Sequence, residues 1–224
     1  MTPAGASRDV DRLARVRVSD QYRLLFVHVQ KTGGNTVRGM LNDVLPDPRN
    51  PRGELPKHAH LGGILKAEPG LADYYVFGFV RNPWSRLVSW WSMIQDAKIN
   101  AQAGNEGAVE RLRTNRFMRV VATSYDTFDE FVLRGPDDLP RVGTPQLRYL
   151  ATPHRTADFI GRTECLVADV GAVFAHLGLP EVEQVPRANA STPRGPYQDF
   201  YTEATRRRVA DLYAEDVAAF GYTF

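Results

Sequence analysis

The chain has 224 residues, a formal net charge of +2 and a single cysteine, Cys165. This length is typical of one domain with a substantial core, so a single domain over residues 1–224 is expected. The nearly balanced charge predicts no broad nucleic-acid surface, and one cysteine excludes an internal disulfide framework. No apolar run reaches the length of a membrane span, and the charged N-terminus does not look like a signal peptide. A cytoplasmic protein without membrane or nucleic-acid partners is therefore predicted, and nothing in the pattern indicates its oligomeric state.

Residues 1–20 are polar and are expected to form a loose arm. The apolar run 24–29 then predicts a strand buried on both faces, and the apolar spacing over 37–45 predicts an amphipathic helix. Polar residues and glycines stand between them, namely Lys31, Thr32, Gly33, Gly34, Asn35 and Thr36. The glycines allow a sharp turn close to a ligand, and the helix start favours an anion. The segment predicts a phosphate cradle, although in the usual nucleotide-triphosphate loop the lysine follows the glycines.

A second apolar run, 74–80, predicts another buried strand, which ends at Arg81. Asn82 suits a helix N-cap and Pro83 the first helical position, so a helix is expected to begin there. Ser89 lies about two turns further on and returns to the side of the cap. Because parallel strands end at the same sheet edge, Lys31 and Arg81 are expected to mark two neighbouring anion sites, with Arg81 and Ser89 gripping one phosphate.

The rest of the chain continues the alternation of strand and helix. Residues 96–115 are predicted to be a mobile excursion, helices are predicted near 116–123 and 127–134, and a loop at 135–140. A short strand is expected at 158–161, a helix at 166–177 that stops at Gly178, and one last helix from Val209 to Phe220. This pattern predicts an α/β fold of three layers, a parallel sheet flanked by helices.

Two segments resemble those of sulfotransferases that use 3′-phosphoadenosine 5′-phosphosulfate (PAPS). Residues 26–34, FVHVQKTGG, are similar to the 5′-phosphosulfate loop of that family, and residues 79–91, FVRNPWSRLVSWW, to its 3′-phosphate segment. The resemblance is to the carbohydrate-type branch, which includes heparan and chondroitin sulfotransferases and bacterial members, and it covers most of residues 24–224. Gln30 stands where proline is usual and Asn35 where a small hydroxyl residue is usual, but neither change removes a charge.

The resemblance implies a P-loop-like sulfotransferase fold and transfer of the sulfuryl group from PAPS to a hydroxyl of a carbohydrate or small-molecule acceptor. The second product would be adenosine 3′,5′-bisphosphate. The implied donor-binding residues are Lys31, Thr32, Gly33, Gly34, Asn35 and Thr36 for the 5′ end, Arg81 and Ser89 for the 3′-phosphate, and Asn189 and Ser191 for the adenine side.

The reaction also needs a base and a cation. Lys31 is suited to neutralise the charge that develops on the leaving phosphate. Histidine is the best base near neutral pH, and related sulfotransferases place theirs in a similar His-x-His context, so His60 is the first candidate and His58 the second. In an extended backbone the two would point the same way and would equally suit zinc, but no further ligand cluster accompanies them, so no metal is expected. His28 is interpreted as a hydrogen-bonded core residue.

Two other functions fit part of the pattern. A nucleotide or metabolite kinase of related architecture would prefer ATP with magnesium, but the order of the loop residues disfavours it. A binding protein with a nucleotide fold and no turnover is the other alternative. The sequence does not name the acceptor; residues 46–63, 96–115 and 135–150, including Gln146 and Arg148, are expected to line its pocket.

Overall fold

The computed structural model describes residues 16–181 and 195–224. The chain divides into two compact units, Met1–Val80 with Gln146–Ala188 and Arg81–Pro145 with Asn189–Phe224. Each unit is described separately below, and the single domain expected from the length stays a prediction.

The described residues form strands β1 (Arg17–Ser19), β2 (Leu24–Val27), β3 (Tyr75–Val80) and β4 (Phe159–Arg162). The helices in chain order are α1 (Gly34–Val44), α2 (Leu61–Ala67), α3 (Pro83–Gln102), α4 (Glu106–Thr114), α5 (Arg116–Ser124), α6 (Phe128–Asp138), α7 (Pro140–Gly143), α8 (Leu147–Leu150), α9 (Leu166–Leu177), α10 (Glu203–Leu212) and α11 (Ala214–Phe220). Short 3-10 helices cover Pro69–Leu71, Thr163–Cys165 and Tyr197–Phe200. None of the described helices is long and apolar enough to cross a membrane.

The first unit is built around a four-stranded sheet in the order β1-β2-β3-β4. β1 is antiparallel to β2, whereas β2, β3 and β4 run parallel. Val27 is paired with Gly78, so the carboxyl ends of β2 and β3 lie side by side. The predicted α/β fold with a mostly parallel sheet is confirmed. The predicted arm is too long, because residues 17–19 form the antiparallel edge strand.

Helices cover both faces of this sheet. On one face, Phe26 and Phe77 belong to a buried cluster with Leu41 of α1 and Phe174 of α9. Residues of β3 alternate between faces, so Gly78 looks the other way. There the side chain of Leu150 from α8 lies so close that a Cβ on Gly78 would be 2.4 Å from its Cδ2 atom. Because glycine has no side chain, α8 packs directly against β3 at Gly78.

The second unit is helical in its described part and is organised around α3. Asn82 caps α3 with its side-chain oxygen, which accepts hydrogen bonds from the amides of Trp84 and Ser85 at 3.1 and 3.2 Å. Its amide group donates to the carbonyl of Thr223 at 2.8 Å, and the Trp84 indole donates to the carbonyl of Arg206 at 3.0 Å. The start of α3 is thus fixed by the C-terminal segment, and the N-cap predicted at Asn82 is confirmed.

Three predictions about helices in this unit are wrong in part. Residues 96–115, predicted as a mobile excursion, contain the end of α3 and all of α4. The predicted loop at 135–140 is largely helical, because α6 continues to Asp138 and α7 begins at Pro140. The single last helix is two helices, α10 and α11, which meet at Tyr213.

In the first unit, an ion-pair network holds the proline-rich segment that leads to the two candidate histidines. The Arg49 guanidinium donates two hydrogen bonds of 2.7 Å to Asp20 and two of 2.8 and 3.1 Å to Glu68. Glu68 also accepts from the backbone amide of Arg52 at 2.7 Å. The backbone of Arg49 pairs with Val18 at 2.9 and 3.0 Å. Arg49 therefore ties the start of this segment to β1 and to the residue that follows α2.

This network predicts a specific acid dependence of stability. The hydrogen bonds from Arg49 lower the pKa of Asp20 to about 2 and also lower the pKa of Glu68. The stabilisation is complete above the pKa values of the unfolded chain, about 4, and is lost as the pH falls towards 2. In Arg49→Ala we expect a melting temperature about 2–4 °C lower at neutral pH and a smaller loss between pH 4 and 2, measured by circular dichroism. Arg113→Ala removes a more exposed ion pair, with Glu110, and is the control; it should change the melting temperature and its acid dependence less than Arg49→Ala does.

Candidate functional site

The loop between β2 and α1 has a strained backbone at its centre. Lys31 has a φ of 67° and Gly33 a φ of 77°, both in the left-handed region. Glycine accepts that conformation freely, whereas a residue with a Cβ such as lysine is destabilised by about 1–2 kcal/mol. Strain of this kind persists where the surrounding structure enforces it, which is common at ligand sites. The backbone of Lys31 is therefore held in place at a cost in stability.

The next two glycines leave no room for side chains. A Cβ on Gly33 would lie 3.0 Å from Cδ2 of Leu166, and one on Gly34 would lie 2.1 Å from Cδ2 of His28. His28 is only 3% exposed, and its ring stacks on Phe26 with 6.0 Å between ring centroids. The His28 ring thus fills the space beside the first residue of α1. This packing fixes the turn that the paired glycines make.

The loop offers the donors that an anion needs. The Thr32 hydroxyl donates a hydrogen bond to the carbonyl of Val29 at 2.9 Å, so this hydroxyl proton stabilises the turn. The backbone amide of Thr32 is the donor suited to a phosphate. α1 begins at Gly34 with Gly33 as N-cap, and a glycine cap puts no side chain in the place of an anion. With eleven residues, α1 is long enough for its N-terminus to attract negative charge. The loop therefore fits a phosphate-like group.

Substituting Gly34 tests this packing. Gly34→Ala replaces glycine by a better helix former, yet the new methyl group would overlap the His28 ring, so we expect a loss of about 1–3 kcal/mol in the free energy of unfolding. Gly39→Ala in the same helix meets nothing within 4 Å and should gain about 0.5–1 kcal/mol. Urea unfolding of the two variants should give shifts of opposite sign. Equal shifts would mean that His28 does not occupy the space beside Gly34.

His58 contacts the same part of the loop. Its Nδ1 atom lies 3.3 Å from the carbonyl oxygen of His28, and the two rings meet edge to face with centroids 4.9 Å apart. A carbonyl can only accept, so this contact assigns the proton to Nδ1 of His58 and leaves Nε2 as the basic nitrogen of the neutral ring. The His58 ring therefore packs beside the loop through its contacts with His28, and the residue is only partly exposed.

His60 lies in a different environment from His58. It is the N-cap residue of α2, and its carbonyl accepts from the amide of Ile64 at 3.0 Å. The His60 ring packs on the Tyr149 ring with 4.0 Å between centroids, while the residue as a whole stays exposed. Partial removal from water lowers the pKa of His60, and a hydrogen bond with the backbone of Arg148 acts in the opposite direction. A lowered pKa keeps the imidazole neutral near pH 7, the form that accepts a proton.

The second unit supplies the other predicted phosphate ligands. Arg81 directly follows β3 in the chain, and its Nε donates to the hydroxyl of Ser85 at 2.9 Å. Ser89 lies one turn beyond Ser85 on α3 and is 7% exposed. Arg81 and Ser89 were predicted to grip one phosphate together, and that stays a prediction; the structure adds that Ser85, one turn nearer the cap, orients the guanidinium.

The predicted site residues fall into three groups. Lys31 to Thr36 form one loop in the first unit, which also holds His58 and His60, whereas Arg81 and Ser89 belong to the second unit. Asn189 and Ser191 lie outside the described residues. His58 and His60, which would point the same way in an extended backbone, contact different rings: His58 contacts His28 and His60 contacts Tyr149. Among the described residues no group of three or more His, Cys, Asp or Glu is arranged for a metal.

Sequence reasoning missed the contributions of His28 and Tyr149. His28 was expected in a strand as a core residue; it is buried, but it follows the end of β2 and packs against the loop. Tyr149 is 3% exposed, and no local pattern connects it with His60. Gln146, which was expected to line an acceptor pocket, is fully buried.

The sequence was also compared with known proteins. A family model described as the sulfotransferase family matches residues 14–223, which is nearly the whole chain. No individual curated protein matches the sequence significantly.

Proposed function

Since the chain belongs to the sulfotransferase family, we propose that it transfers the sulfuryl group of PAPS to a hydroxyl of a carbohydrate or small-molecule acceptor. Family membership supports sulfuryl transfer in general, and the donor and the acceptor class are our inference. The observation that carries the proposal is the loop after β2. A lysine held at positive φ is followed by Gly33, also at positive φ, and by Gly34, the first residue of α1, where a Cβ would overlap the His28 ring.

The donor would be held by the residues that match the phosphate segments of the family. Lys31, the amides that follow it and the start of α1 suit the 5′-phosphosulfate, because fixed N–H groups and a cation recognise its charged oxygens. Arg81 and Ser89 suit the 3′-phosphate, and the bond from Arg81 to Ser85 supports a guanidinium of fixed orientation. Asn189 and Ser191 are proposed for the adenine side from the resemblance alone.

When bound, PAPS supplies a sulfuryl group on a good leaving phosphate. We propose that His60 accepts the proton of the acceptor hydroxyl while the oxygen forms a bond to sulfur and the bond from sulfur to the phosphate oxygen breaks. Lys31 then faces the negative charge that the phosphate gains, where a fixed cation lowers the barrier. His58 is the second candidate base. Its contact with the carbonyl of His28 puts the proton of the neutral ring on Nδ1, so Nε2 would be the nitrogen that accepts a proton.

The two alternatives have weaker support. A kinase would require the lysine after the glycines and a serine or threonine for magnesium, and here Lys31 precedes Gly33 and Gly34. A binding protein without turnover does not require a proton acceptor, and an exposed histidine whose ring packs on Tyr149 favours an enzyme. Metal-free chemistry, a cytoplasmic location and the absence of membrane and nucleic-acid partners stay predictions from the sequence.

A donor comparison tests the proposal. The purified full-length chain is incubated with ³⁵S-labelled PAPS, or with γ-³²P-labelled ATP and magnesium, against panels of sugars, phenols and lipids. We expect transfer of ³⁵S only, and calorimetry should detect adenosine 3′,5′-bisphosphate as a ligand. Transfer of ³²P without ³⁵S would identify a kinase, and nucleotide binding without transfer to any acceptor would favour the non-catalytic alternative.

A further inference from the structure

The ring of Tyr149 packs against the candidate base, His60. The two rings are separated by 4.0 Å between centroids and inclined by 40°. Tyr149 itself is 3% exposed, whereas His60 remains open to solvent. An exposed histidine is therefore held on one side by a ring that is almost entirely buried. Immobile partners of this kind restrict the rotation of a side chain that must point at a substrate.

The contacts of α8 connect Tyr149 to the sheet. The Tyr149 amide donates to the carbonyl of Gln146 at 3.0 Å, which closes the turn of α8. The next residue, Leu150, is fully buried over Gly78 of β3, and its carbonyl accepts from Ala157 at 2.8 Å. α8 has four residues and no stability of its own, so these contacts fix its position. Through these contacts of α8, Tyr149 is held in place relative to β3.

The residue before Tyr149 adds a second restraint on His60. The backbone of Arg148 forms a hydrogen bond with His60, and a carbonyl acceptor fixes the nitrogen that carries the proton. The opposite nitrogen of the neutral ring then holds the lone pair. One short helix therefore provides both a surface for the ring and a partner for its N–H group.

We propose that Tyr149 is a positioning residue of the reaction, and that its ring, together with the Arg148 carbonyl, sets the direction in which the His60 ring points. This inference rests on the proposed role of His60 as the base. Tyr149 does not touch the reacting atoms; it acts through the histidine. The titratable or charged side chains of α8 and α2 are Tyr149, Arg148 and Lys66, and those of the two residues directly before Ala59 are Lys57 and His58.

Removal of the Tyr149 ring should change how His60 titrates. The ring excludes water from one side of the imidazole, and burial disfavours the charged form, so the pKa of His60 lies below its ordinary value. In Tyr149→Ala water reaches that side, and we expect the pKa of His60 to rise towards about 6.5. Tyr149→Phe keeps the ring and should leave the pKa unchanged. The His60 resonance is identified by its loss in His60→Gln and followed by NMR titration of the full chain.

The same variants should separate catalysis from donor binding. In Tyr149→Ala we expect kcat to fall about tenfold to a hundredfold because the base is misdirected, with the KM for PAPS unchanged. The acid limb of the profile of kcat against pH should move upward by the same amount as the NMR pKa. Tyr149→Phe should keep kcat and the position of the acid limb as they are in the unchanged protein.

Controls distinguish this role from a general loss of stability. Tyr125→Ala removes another buried tyrosine, from the other unit, and should not move the His60 titration. A shift in Tyr149→Phe as large as in Tyr149→Ala, or no shift in either, would overturn the proposal. The NMR titration needs no turnover, so it remains informative even if PAPS proves not to be the donor; failure of the donor comparison alone would instead refute the proposed function.

Discussion

Replacing His60 with alanine is expected to lower kcat by about 10²–10⁴-fold, because a positioned general base contributes that much to a proton transfer. Binding of adenosine 3′,5′-bisphosphate should be unchanged, since the residues proposed to hold the nucleotide do not include His60, which packs on Tyr149 and is the N-cap of α2. Single-turnover rates with labelled PAPS, combined with calorimetry, measure the two effects separately.

Two other histidines serve as references in that experiment. His154→Ala removes an exposed histidine in the loop before β4 and should leave the rate unchanged. His58→Ala removes the ring that borders His28, and we expect it to weaken donor binding more than turnover. If His60→Ala kept full activity while His58→Ala lost it, His58 would be the base and the contact of His60 with Tyr149 would be structural.

The strand, loop and helix at 24–44 were predictable from the sequence because their signals are local. An apolar run that is buried on both sides and a helix with one apolar stripe both show in a few consecutive residues. The cap at Asn82 is equally local, since the side chain bonds to amides only two and three residues away. In each case one segment of chain contains the whole physical cause.

The prediction of a mobile excursion at residues 96–115 was wrong partly because of its asparagines. They favour loops, but they also cap helices, and only neighbouring structure decides between the two. Here Asn105 accepts a hydrogen bond from the amide of Ala108 at 2.9 Å and so starts α4. Asn115 does the same for α5 with the amide of Met118 at 3.2 Å. A stretch that looked irregular is therefore two helices separated by capping residues.

The parts of the site that escaped prediction depend on contacts between distant segments. Gly34 must be a glycine because the His28 ring stands beside it, and Gly78 because Leu150 lies over β3. Tyr149 meets His60 only after α8 and α2 are placed on the sheet. No periodicity connects such residues, so sequence reasoning could propose the chemistry of His60 without identifying what orients it.

Replacing Lys31 is expected to separate stability from activity. Removal of the cation that we propose faces the leaving phosphate should lower kcat by about 10²–10³-fold in both Lys31→Ala and Lys31→Gly. Their stabilities should differ, because the φ of 67° at this position strains alanine and not glycine. We expect Lys31→Gly to be more stable than Lys31→Ala by about 1 kcal/mol in urea unfolding.

The matched control is Lys66→Ala, which removes an exposed lysine from α2 and should alter neither rate nor stability. Activity retained in Lys31→Gly would show that the loop backbone, and not the ammonium group, neutralises the leaving phosphate. Equal stability of the glycine and alanine variants would show that the left-handed backbone at Lys31 is not enforced by the folded chain. If both expectations hold, the fold keeps a lysine in a conformation that disfavours it because sulfuryl transfer requires a cation at that point.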